Sequence, residues 1–466
     1  MKKALLTAAI AAWTLSASVS QAVDAKLLAK AYEQGSGALA QVQGKFVQGG
    51  IENPFEGLAT CVSVQDGVGL FITLALESNA VPENVKDMTL MVPGGEGKPI
   101  KAELMGVDAL TGIGFVRAAE KGPWKAITFV RRANLKIGQE VASVGLFASN
   151  AGNVAYVTGG NVGAMTRVPE QIALVTSGTL SNIGSPVFAE SGDAIGIVGR
   201  QQFSDLYTMT TNRGSGTVSL KAVRDSSCFM PVEEFADVFS RIPSGGRGQR
   251  LAWMGVMKLQ GVSRQLAELA KLDKPGVMIE QIVSGGPADK AGLKDRDIIV
   301  SVNGKDLEDY ASPLLTARGL MNQLARIGAG KEVALGVVRD GKRVDATLTL
   351  EPTPLMPNEA PSWFAAPLGA LVRQRIPLDA HLLTGPAATT EGVIVAGVQR
   401  DSPASKAGLA DGDLVTAVGS QTVTSIDAFK QAVEKVLADP KQPSVALQVR
   451  RGDKVQSISI QPLQRP

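Results

Sequence analysis

The stretch GVMIEQIVSGGPADKAGLKDRDIIVSVNG, Gly276 to Gly304, returns 116 residues later without a gap as GVIVAGVQRDSPASKAGLADGDLVTAVGS, Gly392 to Ser420. Pro287 meets Pro403, Ala288 meets Ala404, Gly292 meets Gly408, Leu293 meets Leu409 and Asp297 meets Asp413. Further on, VALGVVRDGK from Val333 resembles VALQVRRGDK from Val445. A self-match at one fixed offset marks a duplicated supersecondary unit. Each copy has the same physical reading. An apolar run leads into P-A-x-K-A-G-L, where proline opens a short helix and glycine closes it. A turn with aspartate follows, then an alternating strand, IIVSVNG or LVTAVGS. A helix is predicted over Leu314–Ile327 in one copy and Ile426–Leu437 in the other. A hairpin turning at Asp340-Gly341 or Gly452-Asp453 closes each unit.

This pattern resembles PDZ domains of the kind attached to bacterial proteases, and it places one module at 250–352 and a second at 353–466. The connecting stretches agree. IPSGGRGQR, Ile242 to Arg250, is glycine-rich and basic, and EPTPLMPNEAPSWFAAP, Glu351 to Pro367, contains five prolines and is expected to be extended. Residues 23–245 form the remaining domain. AKLLAKAYEQ at its start reads as a helix, and the short Val/Ile-rich runs after it, broken by glycines, suggest an antiparallel barrel or a pair of barrels.

The chain of 466 residues fits about three domains, and a hydrophobic content of 44% supports sizeable cores. A net charge of +3 with both signs interspersed gives no basis for nucleic-acid binding. Residues 1–22 read as an export signal, with Lys2 and Lys3, an apolar run, and small residues before a cleavage point after Ala22 or Ala25. No later stretch reaches 18 apolar residues, so no transmembrane segment is expected in the mature chain. The two cysteines, Cys61 and Cys228, leave a disulfide and two buried thiols equally open. With the single histidine, His381, they cannot build a metal site, and no cofactor is implied. His381 itself reads as a surface or packing residue.

SNIGSPVF, Ser181 to Phe188, is similar to the GNSGGP loop that carries the nucleophile of trypsin-like serine proteases. LKIGQEVASVGLF (Leu135 to Phe147), VTGGNVGAMTR (Val157 to Arg167) and the G-x-x-I-G-I-like end of SGDAIGIVG match further segments in order. Signal, β-rich domain and two PDZ modules together resemble the HtrA family of exported serine proteases and chaperones. The resemblance implies a mainly β fold, a chymotrypsin-like double β-barrel followed by two α+β PDZ domains.

Carried over position by position, the resemblance puts Leu76 where the family has its catalytic histidine, Gly112 where it has its aspartate, and Ile183 where it has its serine. A serine hydroxyl needs a neighbouring base to become a nucleophile, and the base needs an orienting acid. Leucine, glycine and isoleucine supply none of these. The loop is also about two residues shorter than the family's, with Ser181 in place of its glycine, which argues against an aligned oxyanion hole. Ile183 and Leu76 read as plugs of the old cleft. Ser185 is the weak alternative nucleophile. A Ser–Lys pair is chemically allowed, but nothing names the lysine. The plainer reading of Ser185 is a turn residue with its hydroxyl bonded to backbone.

Peptide binding does not depend on the triad. PDZ modules add an extended peptide as a strand and hold its terminal carboxylate in a nest of backbone N–H groups. The resemblance assigns that nest to Met254, Gly255 and Val256 in the first module and to Leu368, Gly369 and Ala370 in the second. The function expected is that of an exported, non-catalytic scaffold or chaperone for C-terminal or unfolded segments. A homotrimer, or assembly with an active paralogue, is the quaternary state the family suggests. The competing reading is a serine endopeptidase built on Ser185.

Overall fold

The computed structural model describes residues 23–77, 80–94, 98–131, 135–199, 205–211, 214–220, 227–243, 250–269, 272–310, 312–383 and 385–463. Residues 1–22, read as an export signal, and most of the glycine-rich linker lie outside the described residues. The fold is mainly β: two six-stranded barrels followed by two PDZ modules.

The helix read near the start is Ala25–Gly35. Asp24 caps it, accepting from the Lys26 N–H at 2.9 Å. Leu27 and Ala31, one turn apart, bury the same face against the second barrel. Gly35 ends the helix so close to Val144 that a Cβ there would lie 2.8 Å from its side chain.

The first barrel runs from Leu39–Gln48 and Ile51–Gln65 to Gly114–Ala118, and the second from Glu140–Leu146 to Ser227–Pro231. Both close on themselves, which leaves no sheet edge unpaired. Alternating residues of the strands fill each interior. In the first barrel Phe71 meets Trp124 edge-on, with centroids 4.9 Å apart. A separate apolar layer joins the barrels: Ile72 and Phe115 from the first, Ile197 from the second, and Val232 and Phe235 from the helix Val232–Phe235 that returns across the seam.

In each PDZ module the repeat motif holds one buried ion pair in the same way. Arg339 donates to both carboxylate oxygens of Asp297 at 2.7 Å and to the Gly292 carbonyl at 2.9 Å. Arg451 does the same to Asp413 at 2.6 and 2.7 Å and to the Gly408 carbonyl at 3.0 Å. Arginine, glycine and aspartate recur at corresponding places because each carboxylate is almost wholly buried and needs the guanidinium fork.

The helices predicted in the two copies form as Pro313–Ile327 and Ile426–Ala438, capped by Ser312 and Ser425. The proline-rich connection differs from the expected extended linker. It begins as a short strand, Glu351–Pro352, paired to Ala252–Trp253, turns at Pro357–Glu359, and ends as the strand Ser362–Ala365 within the second module. Proline spacing alone could not show this, because the pairing partners lie elsewhere in the chain.

Candidate functional site

The three positions that the resemblance matches to the triad differ in exposure: Leu76 is buried, Gly112 half-buried and Ile183 exposed. Leu76 is 7% exposed and packs into the first barrel's core, so close to Gly114 that a Cβ on that glycine would stand 2.8 Å from its side chain. Gly112 closes a tight turn at φ +71°, donating to the Asp108 carbonyl at 2.8 Å. Leu76 and Gly112 line one cavity of about 480 Å³, together with Glu170, Glu234 and Arg326. Ile183 lines another, of about 290 Å³, beside Leu58, Leu146 and Phe147. At 43% exposure Ile183 does not fill the old cleft, contrary to expectation. Leu76, by contrast, is buried in the first barrel's core. Sequence alignment alone could not separate a filled position from a surface one.

Asp108, at the start of the turn that Gly112 closes, holds structural contacts. It accepts from the Thr111 N–H and hydroxyl at 2.9 and 2.8 Å and from Arg241 at 2.8 Å. Burial pushes its carboxyl up, but the Arg241 and Thr111 bonds outweigh burial and hold it below the ordinary carboxylate value. A depressed pKa stabilises the fold above the unfolded value of about 4, and that contribution fades as pH falls through the folded one. Wild type should therefore exceed Asp108→Asn in thermal midpoint at neutral pH, with the gap closing below about pH 4. A gap unchanged down to acid pH, measured by scanning calorimetry, would remove the bridge from the account.

The Ser181–Ser185 loop is tied to neighbouring strands by hydrogen bonds. In the serine-protease arrangement the oxyanion is held by the N–H of the nucleophile and that of the residue two before it. The second of these is the Ser181 N–H, which instead donates to the Ser143 hydroxyl at 2.7 Å. The Ser181 hydroxyl joins Ser143 and Thr158 in a compact cluster, at 3.0 and 3.1 Å. The Asn182 side-chain oxygen accepts from the Leu146 N–H at 2.9 Å and from the Tyr156 hydroxyl at 3.2 Å. Gly184 N–H goes to the Val198 carbonyl and Ser185 N–H to the Asn182 carbonyl. No feature of the sequence pointed to Ser143 and Thr158 as the partners of Ser181; they come from two other strands.

Ser185 is fully buried. Its hydroxyl has no hydrogen-bond partner among the described residues, so the expected bond to backbone is not formed. The turn's backbone groups are already paired: the Val198 N–H takes the Ser185 carbonyl at 2.8 Å. A nucleophile needs a base within hydrogen-bond reach, and none is bonded to this hydroxyl among the described residues. His381 stands on the short helix Asp379–Leu382 of the second PDZ module. The cysteines are free thiols buried in different barrels, and burial pushes each up to about 11. Neither is an activated nucleophile.

The two segments that the resemblance assigns as carboxylate nests share one backbone pattern and differ in how their N–H groups are engaged. In the first module the Met254 carbonyl accepts from Ala288 N–H at 2.8 Å and the Gly255 carbonyl from Val283 N–H at 2.9 Å. In the second, the Leu368 carbonyl accepts from Ala404 N–H and the Gly369 carbonyl from Gln399 N–H, both at 2.9 Å. Gly255 and Gly369 have φ of +88° and +73°, the region glycine enters freely. The strand after the first nest, Val256–Gly261, is the edge of its sheet. In the second module the N–H groups of Leu368 and Gly369 are already taken by the Ala365 carbonyl, at 2.9 and 2.8 Å. The second nest, offered by sequence as a free site, is filled from within the chain.

Two six-stranded barrels followed by two PDZ modules are the architecture of a trypsin-like peptidase domain joined to PDZ domains. The trypsin-like peptidase domain profile matches residues 59–197, and the PDZ domain profile matches 259–350 and 374–461. A probable periplasmic serine endoprotease, DegP-like, of Chlamydia trachomatis is 29% identical over 372 residues, 78% of this chain and 67% of the relative. Its Pseudomonas fluorescens counterpart is 29% identical over 389 residues, 79% and 73%. A variant of the HtrA-type protease AlgW, solved with a decapeptide, shares the fold with a TM-score of 0.52 at 19% identity, covering 70% of this chain and 98% of that one. The chain thus carries a trypsin-like peptidase domain and two PDZ domains, and it is similar to DegP-like serine endoproteases.

Proposed function

We propose that this chain is a non-catalytic HtrA-family protein, exported to the periplasm or beyond, that captures C-terminal or unfolded protein segments through its PDZ modules and serves as a scaffold or chaperone. The observation that carries this reading is the state of the loop: the position of the nucleophile is an exposed isoleucine, and the Ser181 N–H is committed to Ser143. Leucine and glycine at the other two triad positions supply neither base nor acid. The periplasmic placement rests on the export segment and on the names of the relatives. Among the described residues no helix is long and apolar enough to cross a membrane. The trimeric assembly, alone or with an active paralogue, is part of the same proposal.

The test is casein digestion by the purified mature protein, with a fluorophosphonate label for reactive serines. Neither cleavage nor labelling is expected. Cleavage that disappears in Ser185→Ala would establish a serine endopeptidase with a rearranged site.

A further inference from the structure

The strand that fills the second nest has the geometry of a ligand. Ser362–Ala365 runs antiparallel to Ala370–Gln374, the strand that follows the nest, with Ser362 opposite Arg373, Trp363 opposite Val372, Phe364 opposite Leu371 and Ala365 opposite Ala370. A peptide added to a PDZ edge pairs in this way, with its last residue at the nest. Here the Ala365 carbonyl stands in for a terminal carboxylate oxygen, accepting from Leu368 and Gly369 N–H. Trp363 reaches the helix Ile426–Ala438 and meets Phe429 edge-on, with centroids 5.9 Å apart. It thus occupies the space between strand and helix where a ligand side chain would anchor. The strand is clamped on its outer side as well. The Phe364 N–H donates at 2.5 Å to the Gly49 carbonyl, at the tip of the long hairpin Leu39–Gln48/Ile51–Gln65 of the first barrel.

The first module lacks such a strand among its described residues: Val256–Gly261 is its edge, and the preceding Ala252–Trp253 pairs instead with Glu351–Pro352. We infer that Ser362–Ala365 is a built-in ligand of the second PDZ groove, so that external peptides reach that groove only by displacing it, and that the peptides able to do so carry a large aromatic residue two places before a small C-terminal residue. This rests on the reading of the PDZ modules as peptide binders. A groove closed for most of the time lowers apparent affinity in proportion to its open fraction; closure for nine-tenths of the time costs about tenfold.

The probe is a fluorescein-labelled heptapeptide of this chain's own sequence, EAPSWFA, with a free C-terminal carboxylate. It is titrated into the full mature chain carrying Gly255→Val, which removes the first module's contribution. Opening the groove with Trp363→Gly and Phe364→Gly together should tighten binding at least about tenfold, and adding Gly369→Val should abolish the gain. Equal affinity of the closed and opened chains, or a gain that survives Gly369→Val, would overturn the inference. Should the opened variant unfold, amide exchange on the unmutated chain decides. Ala370–Gln374 should be protected without peptide and gain no further protection at peptide concentrations that saturate the first module. Added protection there would mean that the groove stands open. Failure of the first module, with Gly255 intact, to bind any apolar C-terminal peptide would count against the wider reading and is measured separately.

Discussion

Arg373→Ala should destabilise the second PDZ module by about 3–5 kcal/mol, the range for removing one partner of a buried ion pair. The pair is the most enclosed of its kind among the described residues, with side chains 10% and 1% exposed. Arg373 meets both oxygens of Asp379, at 2.7 and 2.6 Å, and Asp379 also accepts from the Ile376 N–H at 2.8 Å. Alanine leaves a carboxylate in the interior with one amide for company. Replacing both residues by apolar ones of similar volume should restore much of the loss, because the charge then goes with its partner. Urea unfolding followed by tryptophan emission is a direct readout, since Trp363 lies one pairing position from Arg373. A loss below about 1 kcal/mol would show that water reaches the carboxylate in the variant.

Gly255→Val should abolish binding of apolar C-terminal peptides to the first module, a loss well beyond tenfold. Two effects act together. Valine at φ +88° is strained, and its Cβ would stand 2.8 Å from the ring of Pro287 and 3.1 Å from the Ala288 nitrogen. The nest must therefore move, and the carboxylate loses its aligned donors. Fluorescence anisotropy with labelled apolar C-terminal peptides measures the loss, and circular dichroism establishes that the module remains folded. A folded variant with unchanged affinity would take this groove out of the function.

The repeat from Gly276 was the most legible part of the sequence, because the forces that shape it are local. Proline at a helix start, glycine at its end and the spacing to Asp297 act over a few residues. The residue types at positions 76, 112 and 183 were open to reading as well, since they are the sequence itself. Exposure was not. Whether Ile183 fills a cleft depends on the Ser181 loop, and that loop is shaped by Ser143 and Thr158 from other strands. Ser185 was read as a satisfied turn residue because serine is common in turns, but here the neighbouring backbone groups had already consumed one another. The prolines between the modules disguised a strand. SWFA has the apolar, aromatic character of one, yet its partner, Ala370–Gln374, lies across a turn containing Pro367.

The layering of the barrel hairpin on Ser362–Ala365, and of that strand on Ala370–Gln374, also bears on how the molecule behaves when crowded with copies of itself. A bare outermost strand is a template on which identical chains can stack into aggregates. The second module covers its own, and the hairpin tip claims an amide of the cover. The uncovered strand at Val256–Gly261 carries Lys258 and Gln260 as exposed polar residues, the kind of side chain that discourages stacking while leaving the backbone available to a peptide.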